Sequence, residues 1–251
     1  MTVSVSRTML ALLLSGFMLA ATADEGEHPA EKHKFSLPPS AELDYAIRAE
    51  QSGLQLNGEG VLKWNASGNT YHIEAETRAA LFGKILDSKS DGAIDDYGLA
   101  PAVFAEKRFR KDPTTTTFHR DSKNISFSSG ANTYPLLGGE QDRTSAIWEL
   151  IAVARSAHSH AKENTEWVFF VAGQHDAEPW TFHVEKMEDV RTAMGNFSAL
   201  HVTKEPPPDR KGQKVDIWLA PSLEWYPVRL RYTDPNGDFV EQSITAVNHG
   251  K

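Results

Sequence analysis

Three oxygen-bearing side chains crowd one stretch near the C-terminus. In "YTDPNGDF", Asp234, Asn236 and Asp238 stand at alternate positions, with Glu241 just beyond. Oxygen ligands spaced in this way are the chemistry of a calcium loop. A loop of the EF-hand type also requires Gly at its sixth position and a bidentate Glu at its twelfth. Counted from Asp234, those positions hold Phe239 and Thr245, so the metal reading fails. Turn chemistry accounts for each residue instead. Asp234 can accept a bond from the turn backbone, Pro235 presets φ, Asn236 suits the next position, and Gly237 takes positive φ at low cost. The expectation is a structural turn over Asp234, Pro235, Asn236 and Gly237, closing a hairpin.

The flanks alternate. Val228, Leu230 and Tyr232 share one parity, and Arg229 and Arg231 share the other; Glu241 and Ser243 lie on the return strand. Two arginines opposite a glutamate make a surface cross-strand pair or line a groove that receives an anion. The histidines are weaker signals. His158 and His160 are two apart on an expected helix end, where a zinc pair needs a spacing of four. His175 sits beside Asp176, with His183 on a following strand and no HExxH arrangement. His28 and His33 lie in an acidic N-terminal tract. There is no G-x-S-x-G elbow and no phosphate loop, and "FSSGANTY" reads as a turn. Neither a metal nor a cofactor is expected. What remains is aromatic: Trp64, Trp148, Trp167, Trp180, Trp218 and Trp225 with 12 Phe and 6 Tyr. These rings either fill a β core or line an apolar cavity.

The elements that must carry these residues are mostly strands. Period-two alternation runs through "ELDYAIRAEQ", "NTYHIEAETRAALF" and a succession of later segments. Turn residues separate them at the spacing of sandwiches and barrels, giving about a dozen strands. One stretch breaks the rhythm. "DRTSAIWELIAVARSAHSH" (143–160 with Asp142 before it) places Ile147, Leu150, Ile151 and Ala154 at helical spacing. Asp142 or Thr144 can cap it, and Arg155, His158 and His160 suit its C-terminal end. Trp148 should pack on the sheet.

The N-terminus reads as a targeting segment. One positive charge at Arg7 precedes an apolar run too short to span a bilayer, and "ATA" at 21–23 supplies a cleavage site. The expected domains are therefore a signal peptide over 1–23, a flexible linker over 24–40 and a β-rich domain over 41–247. The chain has no Cys, which removes disulfides, thiolate chemistry and lipidation. Periplasmic export without a lipid anchor or a remaining transmembrane segment is the expected localisation. The net charge of −8 argues against nucleic acid as a partner, and no polybasic segment stands out for anionic lipid.

The segment "VDIWLAPSLEWYPVRLRYTDPNGDFVEQSI" (215–244), with "LDYAIRA" and "DRTSAIWELI" upstream, resembles an uncharacterised exported bacterial family, domain of unknown function 3108. The resemblance extends over about 40–247. It implies a periplasmic, mainly β fold: a single antiparallel, strongly curved sheet, an open or spiral barrel, with one packed α-helix around 143–160. It implies no reaction. By analogy of fold alone, that outline is similar to lipoprotein-carrier and envelope-integrity proteins.

The functional expectation is a non-enzymatic envelope protein that holds a lipid, another amphiphile or a partner segment in its curved sheet. The pocket residues would be Trp148, Trp218 and Tyr226, where helix and late strands should meet, with Arg229 and Arg231 for an anionic head group. The alternatives are a scaffold or interaction protein with a filled core, binding another envelope protein, and a polysaccharide hydrolase. The last would need two carboxylates about 5–10 Å apart in a cleft.

Overall fold

A computed structural model describes residues 28–206 and 211–249. The expected signal peptide over 1–23 lies outside the described residues. Fifteen strands form one sheet. In chain order they are β1 (Ala41–Gln51), β2 (Leu54–Ser67), β3 (Thr70–Ala79), β4 (Gly83–Asp95), β5 (Gly98–Arg108), β6 (Thr114–His119), β7 (Asn124–Phe127), β8 (Thr133–Pro135), β9 (Gln141–Asp142), β10 (Glu166–Ala172), β11 (Ala177–Thr192), β12 (Gly195–Lys204), β13 (Lys214–Leu219), β14 (Pro227–Thr233) and β15 (Phe239–Asn248). Between β9 and β10 runs α1 (Ser145–Ala157), followed by a short 3-10 turn over His158–His160. The strands expected from alternation all form. The two-residue β9 was too short to show a period.

The sheet is a meander that returns on itself. Each strand except at the β8–β9 step pairs with its sequence neighbour, and the first pairs with the last. The β1–β15 ladder is antiparallel, from Glu42↔Asn248 to Glu50↔Phe239. The curved sheet is open only between β8 and β9, which are neighbours in sequence but not in the sheet. Only β9 runs parallel to its partner, β10.

Alternation sorts the faces. Leu43, Tyr45, Ile47 and Ala49 on β1 point inward, as do Val215, Ile217 and Leu219 on β13 and Val228 and Leu230 on β14. The helix fills the space they enclose. Ser145 through Ala154 are all buried, so α1 is covered on every side, which is the signature of a core helix. Trp148 stacks on Trp64, with ring centroids 4.9 Å apart, and meets Tyr226 edge-on at 6.2 Å. The polar tips are satisfied: Trp64 Nε1 donates to the Pro38 carbonyl, Tyr226 Oη to Pro39 and Tyr45 Oη to Pro227.

Those carbonyls show where the N-terminal tract goes. Residues 28–40, within the stretch expected to be a flexible linker, form no helix or strand but lie against the body. Phe35 and Leu37 pack on the core. Ser36 N–H donates to the Ala152 carbonyl, and Arg155 donates to Ser36 Oγ and the Leu37 carbonyl. His28 stacks on Phe170 at 4.0 Å, and His33 meets Phe169 edge-on. Apolar residues at 35 and 37 within a charged tract are the physical reason: burying them offsets the cost of ordering the strap.

Candidate functional site

The open seam of the sheet gathers the most unusual chemistry in the molecule. Three carboxylates of the β9–α1 region, Glu140, Asp142 and Glu149, are at most 1% exposed. A buried charge is costly unless hydrogen bonds replace water, and each acid meets that demand differently.

Asp142 caps the helix. Its Oδ1 accepts the backbone N–H groups of Thr144 and Ser145, both at 2.8 Å, and its Oδ2 accepts Ser90 Oγ from β4 at 2.5 Å. Ser145 Oγ in turn accepts the Asp142 N–H. The cap is thus Asp142, while Thr144 makes no capping bond. Burial pushes the Asp142 carboxyl up to about 6, although the bonds from Ser90, Ser145 and Thr144 oppose the rise. Glu149, one turn into the helix, accepts the Leu99 N–H on Oε2 at 2.7 Å. Its other oxygen has no partner, and burial pushes the group up to about 8. Gly98 is required beside it. Its φ is +108°, and a Cβ there would run into the Glu149 carboxyl. Glu140 goes the other way. Burial raises it, but His28 and the N–H groups of Gly138 and Leu137 outweigh burial and hold it below the usual carboxylate range. His28 Nε2 lies 3.2 Å from Glu140 Oε1, and Arg120 Nη1 lies 3.8 Å from Oε2.

Further side chains close the seam. Gln141 Nε2 donates to the Leu99 carbonyl at 2.6 Å, and Thr116 Oγ1 on β6 to the Gly173 carbonyl at 2.7 Å. Gln174 Nε2 donates to Glu106 Oε1. Where a closed barrel would have a backbone ladder, this one has side chains reaching across from β4, β5 and β6 to β9, α1 and the end of β10.

The pocket residues expected from sequence do not form one site. Trp148 and Tyr226 meet inside. Trp218, Arg229 and Arg231 take the opposite parity to the buried Ile217, Val228 and Leu230, so they lie on the outer face. There Trp218 stacks on His201 at 4.4 Å and donates to Glu188, and the Arg229 guanidinium stands 5.8 Å from its ring. Arg229 donates to the Arg191 carbonyl. Arg231 covers Phe239 at 4.0 Å and lies 3.5 Å from Glu241. Asp216, Arg231, Glu241 and Arg48 are successive partners across four strands, a row of alternating charge. Both arginines are therefore held by partners on the protein's own outer surface.

The turn after β14 closes with Gly237 N–H donating to the Asp234 carbonyl and Asp234 N–H to that of Asp238; Gly237 has φ +90°. The oxygens that suggested a calcium loop are taken up by the protein's own donors: Asn236 Oδ1 accepts the Asp238 N–H, Asp238 Oδ1 the Ser52 N–H, and Asp234 Oδ1 the Gln213 side-chain amide. His183 contacts Glu166, His175 contacts Ser129, and His158 meets Trp225 edge-on. Among the described residues no group of three metal-type ligands converges. Hollows of the described surface include a 190 Å³ depression among Lys63, Glu74, Glu76 and Lys89 and a shallow 530 Å³ one at Lys211 and Asp234–Asn236. Neither touches the seam carboxylates.

Sequence reasoning missed Glu140 and Glu149. A signal existed for the second: it is the only acid inside "AIWELIAVA", a segment apolar on every face. Such a helix is buried all round, so its one carboxyl must be neutral or hydrogen-bonded.

Fold and seam together define an unclosed, helix-filled β-barrel. The chain belongs to the family described as protein of unknown function DUF3108, which matches residues 42–245. Among solved structures it is similar to a β-barrel-like protein of domain of unknown function DUF1849 from Brucella abortus, with TM-score 0.58 and 14% identity over 86% of this chain and all of that one. A DUF1329 family protein from Desulfovibrio piger matches at TM-score 0.31 and 8% identity, covering 84% of this chain and 86% of its own. A putative outer membrane lipoprotein-sorting protein domain from Vibrio parahaemolyticus matches at 0.25 and 9%, over 84% and 85%. The last two overlap too loosely to carry an argument. No curated protein matches this sequence. No helix among the described residues is long and apolar enough to cross a membrane.

Proposed function

We propose that this chain is a non-enzymatic protein of the bacterial cell envelope, exported to the periplasm, that acts through its outer surfaces as an interaction module. The observation that carries this reading is the occupied interior. Trp64 and Trp148 stack, with Tyr226 edge-on to Trp148, where an apolar ligand would sit, and α1 is buried from Ser145 to Ala154. Of the functions expected from sequence, a filled core supports the scaffold over the ligand carrier. The hydrolase gains no support either, since the shifted acids Asp142 and Glu149 are sealed from solvent and committed to the helix cap and the seam. The acidic flank after the apolar run, the run itself, the "ATA" site and the lack of Cys support export without lipidation.

Two measurements test the reading. Native mass spectrometry of protein purified from its own envelope, before and after organic extraction, should give the same mass. A stoichiometric lipid-sized adduct would overturn the filled-core reading and restore the carrier. Fusion of the N-terminal segment to alkaline phosphatase should give an active reporter, and an inactive one would sink export.

A further inference from the structure

One arc of the barrel rim is built unlike the rest of the surface. Leu54 opens β2, Leu81 and Phe82 form the β3–β4 turn, and Phe109 follows β5. They are 67%, 80%, 53% and 40% exposed, four of the eight large apolar side chains left open among the described residues. They share one end of the sheet. Ala80 N–H donates to the Asn57 carbonyl, Phe109 N–H donates to Ile85, and the Phe82 and Phe109 rings lie 5.9 Å apart. These side chains project from turns, so they form a tip and not a groove.

The charge around them is inverted. The chain as a whole carries −8. Over 76–87 and 106–112 stand Arg78, Lys84, Lys107, Arg108, Arg110 and Lys111 against Glu76, Asp87, Glu106 and Asp112, six cations to four acids. Arg78 pairs with Glu76, Lys84 with Glu76 and Asp87, and Arg108 with Glu106. Lys107, Arg110 and Lys111 form no ion pair among the described residues, and Arg110 lies over the Phe109 ring. Apolar tips ringed by cations are the design of a surface that seats in the headgroup region of an anionic bilayer: rings and leucines enter the acyl boundary while lysine and arginine heads meet phosphates.

We propose that this arc, built on Leu81, Phe82, Phe109, Arg110 and Lys111, is a peripheral docking site for an anionic phospholipid bilayer. The occupant follows from charge complementarity and from tips that would insert, not clasp. The proposal rests on the envelope reading only in that a bilayer must be within reach. Cosedimentation of the full chain with extruded vesicles is the test, comparing pure phosphatidylcholine with three parts phosphatidylcholine to one part phosphatidylglycerol. Binding is expected to the anionic vesicles alone and should weaken as salt rises. Leu81→Ser with Phe82→Ser and Phe109→Ser should weaken it about tenfold or more, as should Arg110→Glu with Lys111→Glu. All five positions are exposed, so an unchanged Tm separates lost docking from lost folding. Equal binding to both vesicle types, no binding, or full binding by both well-folded variants would overturn the proposal; binding lost on changing Asp234 and Asp238 instead would place the contact elsewhere on the rim. A failure here leaves the reporter-fusion result untouched, so the docking site and the export reading fall separately.

Discussion

The barrel is closed at two places by different means. At the β1–β15 junction the chain's first and last strands share a long antiparallel backbone ladder. At the β8/β9 seam the strands are three and two residues long, and the gap is bridged by Ser90, Thr116, Gln141, Asp142 and Glu149. A backbone ladder depends little on which side chains it carries. The outer charge row of Arg48, Arg231 and Glu241 decorates the ladder but does not build it. The seam, by contrast, is made of side chains, with buried acids among them. The junction should therefore tolerate substitution and pH, and the seam should tolerate neither.

The largest effect should come from Asp142→Ala, which strips acceptors from two helix N–H groups and Ser90 Oγ in a buried site. A loss of about 3 kcal/mol or more in denaturant unfolding is expected. A loss below ~1 kcal/mol would mean the seam does not hold the fold together.

Next comes the pH dependence of Glu149. Its carboxyl is raised to about 8 in the folded protein, from an ordinary value of 4.5. Between those values the folded state holds a proton that the unfolded state has released. The stabilisation is full below pH 4.5 and is lost as pH rises through 8. Glu149→Gln should flatten the fall and be more stable than the parent at about pH 9, by on the order of 2 kcal/mol, with no such advantage at about pH 5. Parallel Tm–pH curves for the two proteins would show that the carboxyl does not titrate in the seam. Asp142, raised from 3.8 to about 6, should add a shallower decline between those values that survives in the Glu149→Gln variant.

Thr116→Val is a gentler probe. It keeps the shape and deletes one bond to the Gly173 carbonyl, for about 1 kcal/mol. The smallest effect belongs to the junction. Arg231→Ala or Glu241→Gln should cost less than ~1 kcal/mol, vanishing at high salt. A cost matching that of Thr116→Val at high salt would erase the contrast between the two closures.

Much of this was legible in the residues. The period-two segments, the helix around 143–160, its cap at Asp142 or Thr144 and the turn at Asp234–Gly237 each depend on contacts a few residues apart, and short-range spacing records such contacts; the choice of Asp142 over Thr144 came from the structure. The seam was not legible, since Ser90 and Asp142, or Thr116 and Gly173, are brought together only by the curl of the sheet. The pocket expectation erred for the same reason. Trp148 and Trp218 are equally aromatic in sequence, but one sits on the buried helix and the other on the outward parity of β13. The basic rim escaped too: "KRFRK" at 107–111 is diluted by the acidic whole, and its apolar partners Leu81 and Phe82 are far upstream.

Sequence by itself determined the strands, the single core helix, the turn chemistry and the absence of thiol chemistry, because each follows from local geometry or composition. Tertiary structure decided which face each strand residue takes, that the interior is filled by α1, and that three carboxylates share a dry seam. Those outcomes depend on the curvature that brings β4 to β6 against β9 and α1. Curvature is a sum of many small twists along fifteen strands, which no single stretch of sequence records.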